Sequence, residues 1–141
     1  MARLCIRLVS PLLSCAEWLF GRRAAGIDLA LGCLAVGWCC LMVAKPAMFD
    51  RPGYAGFAWL PDAGWIALSA ALAGAHGLGL QFPAFRGLRA VACLGSSWLW
   101  IFVALSLGRV EIVPGVINCG IVGIGALFGA IHVAGRAPDG A

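Results

Sequence analysis

Seven cysteines, two histidines and one aspartate set against a hydrophobic run are the residues of this chain whose types could do chemistry. The cysteines lack a Cys-x-x-Cys pair, so the spacing used by membrane thiol oxidoreductases is absent. Cys39 and Cys40 are adjacent and would need a strained bridge, whereas Cys33, Cys93 and Cys119 fall in apolar stretches where a thiol packs as a small hydrophobe. Cys5 and Cys15 lie near the chain start, on the side expected to face a reducing cytoplasm. His76 and His132 are placed at a shared depth of two different hydrophobic runs, the arrangement that could hold a haem between helices. No further ligand or supporting acid accompanies them, and each is near enough to an interface for its imidazole to reach water. Asp28 sits at the start of a hydrophobic run, where a carboxylate complements the helix N-terminus. Ser69, Ser96, Ser97, Ser106 and Asn118 are the other polar groups inside such runs, suited to bonding across helices or to their own backbone. These residues predict no catalytic site, no metal and no cofactor.

The elements that carry them are four apolar stretches at about 27–44, 63–80, 90–107 and 115–133. Each has about 18–20 residues, which at about 1.5 Å rise per residue crosses a hydrocarbon core of about 30 Å. They are apolar around the whole circumference, which a soluble helix of a small domain is not. Hydrophobic residues make up 62% of the chain and charged residues 11%, against about 45–50% and 25% in soluble domains. The expected fold is therefore an all-α membrane protein with four transmembrane helices in one bundle. Pro46, Pro61, Pro83 and Pro114 fall at the span boundaries and none falls inside a span.

Charge orients the bundle. Arg3, Arg7, Arg22, Arg23, Arg86, Arg89 and Arg136 fall on one side and Lys45, Arg51 and Arg109 on the other, which predicts that both termini are cytoplasmic. The net charge of +4 is too dispersed for nucleic acid, so the lipid bilayer is the expected partner.

Two segments are not spans. Residues 1–22 read as an amphipathic interfacial helix, with Arg3, Arg7, Ser10, Ser14 and Glu17 on one face. A cleaved signal peptide is the competing reading, disfavoured by the short apolar run between Arg7 and Ser14. Residues 23–135 form the four-helix domain and 136–141 a short cytoplasmic tail. The connection from Pro46 to Pro61 is rich in rings: Phe49, Tyr54, Phe57 and Trp59, with Trp65 just beyond. Aromatic rings favour the membrane interface, so the loop is expected to lie along the periplasmic surface, with a short helix around Tyr54–Leu60. It serves there as an interfacial anchor or as a contact for a partner.

Small residues recur at spacings that let helices approach. Gly125-x-x-x-Gly129 is extended by Ala126 and Ala130, and the second span repeats the theme with Ala70/Gly74 and Ala71/Ala75/Gly79. Such ridges pack helices within one chain or join copies into a homo-oligomer.

Taken together, Pro46…Phe49…Pro52-x-Tyr54…Leu60-Pro61-Asp62-x-x-Trp65, Arg86/Arg89, and the run from Trp98 to Ser106 resemble a family of small four-span membrane proteins of tailed bacteriophages and prophages. Members generally lack an established activity, and some are described as holins. The resemblance implies a viral origin and a host inner membrane, and it brings no catalytic residues. The function expected from residues and resemblance together is non-enzymatic: assembly in the host membrane, with holin-like permeabilisation as its most concrete version. The alternative is a binding, exclusion or assembly module that meets a host or phage membrane protein through the aromatic loop. A haem-binding or redox protein, resting on His76 and His132, ranks below both.

Overall fold

A computed structural model describes residues 25–46, 48–50, 52–110 and 113–135. The expected interfacial segment, Arg22, Arg23, Arg136 and the tail lie outside these residues. Four helices follow in order: α1 (Ala25–Ala44), α2 (Asp62–Gln81), α3 (Arg86–Gly108) and α4 (Pro114–Ala134). All four are long and apolar enough to cross a membrane. The molecule is thus a multi-pass, all-helical membrane protein, as the hydropathy pattern requires.

The boundaries have local causes. Pro61 is extended, and its carbonyl accepts hydrogen bonds from the backbone N–H groups of Gly64 and Trp65, which starts α2. Pro114 occupies the first turn of α4, where its missing donor costs nothing. The short segment between Gln81 and Arg86 reverses the chain through a hydrogen bond from Phe85 N–H to the Phe82 carbonyl.

The helices form two hairpins. α1 runs along α2, α3 runs along α4, and the contact between the pairs is narrower. Small residues set the tighter pair: a Cβ on Gly123 would stand 2.6 Å from Ile101 Cγ1 and 3.0 Å from the Ile101 backbone nitrogen. Ala126, Gly129, Ala130 and Val133 continue the same buried face of α4. α3 is the central helix. Its buried face carries Arg89, Cys93, Ser96, Ser97, Trp100, Val103 and Ser106, while Val91, Leu94, Trp98 and Leu105 face outward.

Between α1 and α2 the chain makes two short 3₁₀ turns, Met48–Asp50 and Pro52–Phe57. The second is a 3₁₀ helix that overlaps the short helix expected around Tyr54–Leu60 and begins two residues earlier. The loop does not simply lie on a surface: it turns Phe49 and Phe57 inward. Phe49 stacks on Phe57 with centroids 4.7 Å apart, and Phe57 meets Phe102 of α3 edge-on at 5.4 Å. The Trp65 indole N–H donates to the Phe57 carbonyl at 3.0 Å, fixing the loop to α2. Gly56 lets the loop reach α3, since a Cβ there would lie 3.0 Å from both Cβ and Oγ of Ser106. The loop therefore wedges the hairpins together at one end of the bundle.

Candidate functional site

At the opposite end, three helices bring ionisable groups together in the interior. Up-and-down topology places the start of α1, the end of α2 and the start of α3 at one level. Asp28 is the fourth residue of α1, Arg89 the fourth of α3, and His76 lies five residues before the end of α2. Asp28 and His76 are 0% exposed and Arg89 is 5% exposed.

The carboxylate is the hub. Arg89 Nε donates to Asp28 Oδ2 at 2.7 Å, and Arg89 Nη2 lies 2.6 Å from the same oxygen. The other oxygen, Oδ1, is 3.0 Å from His76 Nδ1. Across the ring, His76 Nε2 is 2.9 Å from Ser96 Oγ. A neutral ring meets both neighbours with the proton on Nδ1, donated to Asp28, while the Ser96 hydroxyl donates to Nε2. With Asp28 ionised and Arg89 charged, the network then sums to zero charge, the condition under which ions persist in an apolar interior.

Glycines on α1 and α2 make room for it. A Cβ on Gly79 would stand 2.8 Å from Arg89 Cγ and 3.2 Å from Asp28 Oδ1, and one on Gly32 would stand 3.3 Å from His76 Cβ. Cys93, one turn beyond Arg89 on α3, completes the group: donor atoms of Asp28, His76 and Cys93 all lie within 4.8 Å of one another.

Two expectations need correction. The helix N-terminus alone does not account for Asp28, and charge within the membrane is not nearly absent: the Asp28 side chain crosses to α2 and α3. Arg89 was expected to mark the cytoplasmic edge together with Arg86; it is buried in an ion pair, whereas Arg86 is partly exposed. The two histidines compared by depth are not alike. His76 is buried between Asp28 and Ser96, whereas His132 is exposed on α4, so the two sit in unlike surroundings.

The small-residue ridges divide. Gly79, Ala126, Gly129 and Ala130 are buried at helix contacts, and Ala75 is partly so. Ala70, Ala71, Gly74 and Gly125 face outward, and a Cβ on Gly74 or Gly125 would meet nothing within 4 Å. The rings divide as well: Phe49, Phe57 and Trp65 are core, Tyr54 is half-buried, and Trp59 is 59% exposed beside Trp98 at 47%. Among the described cysteines, all are free thiols. Searches against protein-family models, curated proteins and solved structures give no match for this chain.

Proposed function

We propose that this protein is a non-enzymatic component of a bacterial inner membrane that acts by rearranging and assembling there, with holin-like permeabilisation by a phage or prophage product as the concrete form. One observation carries the reading: polar and charged groups are buried inside the bundle while its outside is apolar. Asp28, Ser69, His76, Arg89, Ser96, Ser97 and Ser106 are all buried, while Val43, Val91, Leu105, Ile121, Phe128 and Ile131 face the surroundings. Before opening, such a bundle is inert in lipid, because its ionic groups satisfy one another. Parting the two hairpins would turn the polar face of α3 toward water, supplying the hydrophilic lining that no span displays on its outer surface. The outward-facing Ala70, Ala71, Gly74 and Gly125 offer close approach to a neighbouring copy.

Expression in a bacterial host tests this directly. Membrane potential followed with a voltage-sensitive dye should hold steady and then collapse abruptly. Continued growth with the protein verified in the membrane at high level would reject the proposal. A second reading, a module that docks a membrane partner, is favoured by the exposed Trp59 and Trp98 rings, which meet at 6.3 Å. Under that reading Trp59→Ala and Trp98→Ala abolish partner capture and leave insertion intact. Unchanged capture would make them interfacial anchors.

A further inference from the structure

The geometry points to a transition-metal site formed by Asp28 Oδ1, His76 Nδ1 and Cys93 Sγ, one ligand from each of α1, α2 and α3, suited to Zn²⁺ or Co²⁺. This inference does not depend on permeabilisation, since it rests on donor atoms alone.

The donor set is the first argument. An imidazole nitrogen, a carboxylate oxygen and a thiolate sulfur together match the borderline preference of Zn²⁺ and Co²⁺; Mg²⁺ and Ca²⁺ want oxygen throughout. The spacing is the second. Tetrahedral bonds of about 2.0–2.1 Å to nitrogen or oxygen and about 2.3 Å to sulfur hold the donors about 3.3–3.6 Å apart. The Nδ1–Oδ1 separation is 3.0 Å, and one donor atom from each of the three residues lies within 4.8 Å of the others, so closure requires a shift of at most about 1.5 Å at the thiol.

The surrounding contacts are the third argument. Arg89 Nε and Nη2 both contact Oδ2, while Oδ1 lies 3.0 Å from His76 Nδ1. Ser96 holds Nε2 and leaves Nδ1 directed at Asp28. Outer contacts of this kind fix ligand orientation in metal sites. Gly129 opposes the thiol without crowding it, since even a Cβ there would lie 3.7 Å from Cys93 Sγ.

The binding step balances simply. The metal takes the place of the proton between Nδ1 and Oδ1. The imidazole keeps one proton, now on Nε2 and donated to Ser96 Oγ. The Cys93 thiol releases its proton to solvent and binds as thiolate. Counting Zn²⁺, two anionic ligands and Arg89 leaves one positive charge, which a hydroxide or chloride at the fourth position cancels.

The test uses full-length protein in detergent with Cys5, Cys15, Cys33, Cys39, Cys40 and Cys119 replaced by Ser, so that Cys93 is the remaining thiol. Titration with Co²⁺ should give a saturable near-ultraviolet thiolate-to-cobalt band and visible bands of tetrahedral cobalt, with Zn²⁺ displacing both. Cys93→Ser, a near-isosteric change that spares the ion pair, should remove the near-ultraviolet band. His76→Gln should weaken cobalt binding at least tenfold. Retention of the charge-transfer band in Cys93→Ser, or no cobalt signal from protein whose helical circular dichroism is intact, would overturn the assignment. Cobalt binding by a protein whose expression leaves membrane potential unchanged would leave the metal site standing and count only against the permeabilisation reading.

Discussion

The ion pair between Asp28 and Arg89 permits a prediction with a number attached. Replacing Asp28 by Leu leaves a guanidinium inside the bundle and removes the acceptor of His76 Nδ1; replacing Arg89 by Met leaves a carboxylate with the imidazole alone. Breaking a buried pair from one side costs about 3–5 kcal/mol, because the survivor stays desolvated. Removing both charges together avoids most of that penalty, leaving mainly the unpartnered His76 N–H at about 1–3 kcal/mol. The double variant should therefore be more stable than the sum of the single effects predicts, by at least about 2 kcal/mol. That threshold discriminates between mechanisms, since ordinary hydrogen bonds between membrane helices average about 0.6 kcal/mol and reach only about 1.7. Two charge-assisted contacts on one oxygen, at 2.7 and 2.6 Å, should exceed that range. The assay is reversible unfolding in mixed micelles on titration with a denaturing detergent, followed by fluorescence of the chain's six tryptophans. Additive single-variant costs, within about 0.5 kcal/mol, would show that the pair is solvated and would refute the reasoning.

Three further outcomes follow in the same assay. Gly123→Ala should destabilise by about 1–3 kcal/mol, because its Cβ would meet the Ile101 backbone nitrogen at 3.0 Å and the Ser97 carbonyl oxygen at 3.2 Å, whereas Gly74→Ala and Gly125→Ala should be neutral or slightly stabilising. Phe57→Ala should cost about 3–5 kcal/mol, since the ring is fully buried, and Trp59→Ala, at 59% exposure, should cost far less. Trp100→Phe should be close to neutral, because the buried Trp100 indole N–H has no hydrogen-bond partner to lose.

The spans were legible because hydropathy and proline placement are properties of single segments. Expected limits of 27–44, 63–80, 90–107 and 115–133 became Ala25–Ala44, Asp62–Gln81, Arg86–Gly108 and Pro114–Ala134. The polar cluster was not legible in that way, because each member had an adequate local explanation. Asp28 suits a helix N-terminus, Arg89 suits an interfacial arginine, and His76 shares its depth with the chain's other histidine, His132. The signal lay in their combination: in an up-and-down bundle, residues near the start of α1, the end of α2 and the start of α3 share a level. An acid, an imidazole and a guanidinium at that level leave few apolar alternatives to mutual pairing. The inward turn of the loop was hidden for a different reason. Interfacial preference and core packing both favour aromatic side chains, so ring content alone does not distinguish them.

The two hairpins are joined at their ends by unlike forces, and this bears on how the bundle could open. The aromatic wedge around Phe57 depends little on local dielectric. The ionic lock depends on it strongly: attraction between unit charges 4 Å apart falls from about 4 kcal/mol at an effective dielectric of 20 to about 1 in water. The first water to reach Asp28 would therefore weaken the contact that excludes the next, which favours an abrupt opening from this end. A covalent strap here should prevent it. A Cβ on Gly129 of α4 would lie 3.0 Å from Ile27 Cγ2 of α1, close enough for a cysteine at each position to meet disulfide geometry across the hairpins. In a background with Cys93 replaced by Ser, Ile27→Cys/Gly129→Cys should permeabilise cells only when reduced. Equal collapse of membrane potential with the bond formed would show that the hairpins need not part at this end.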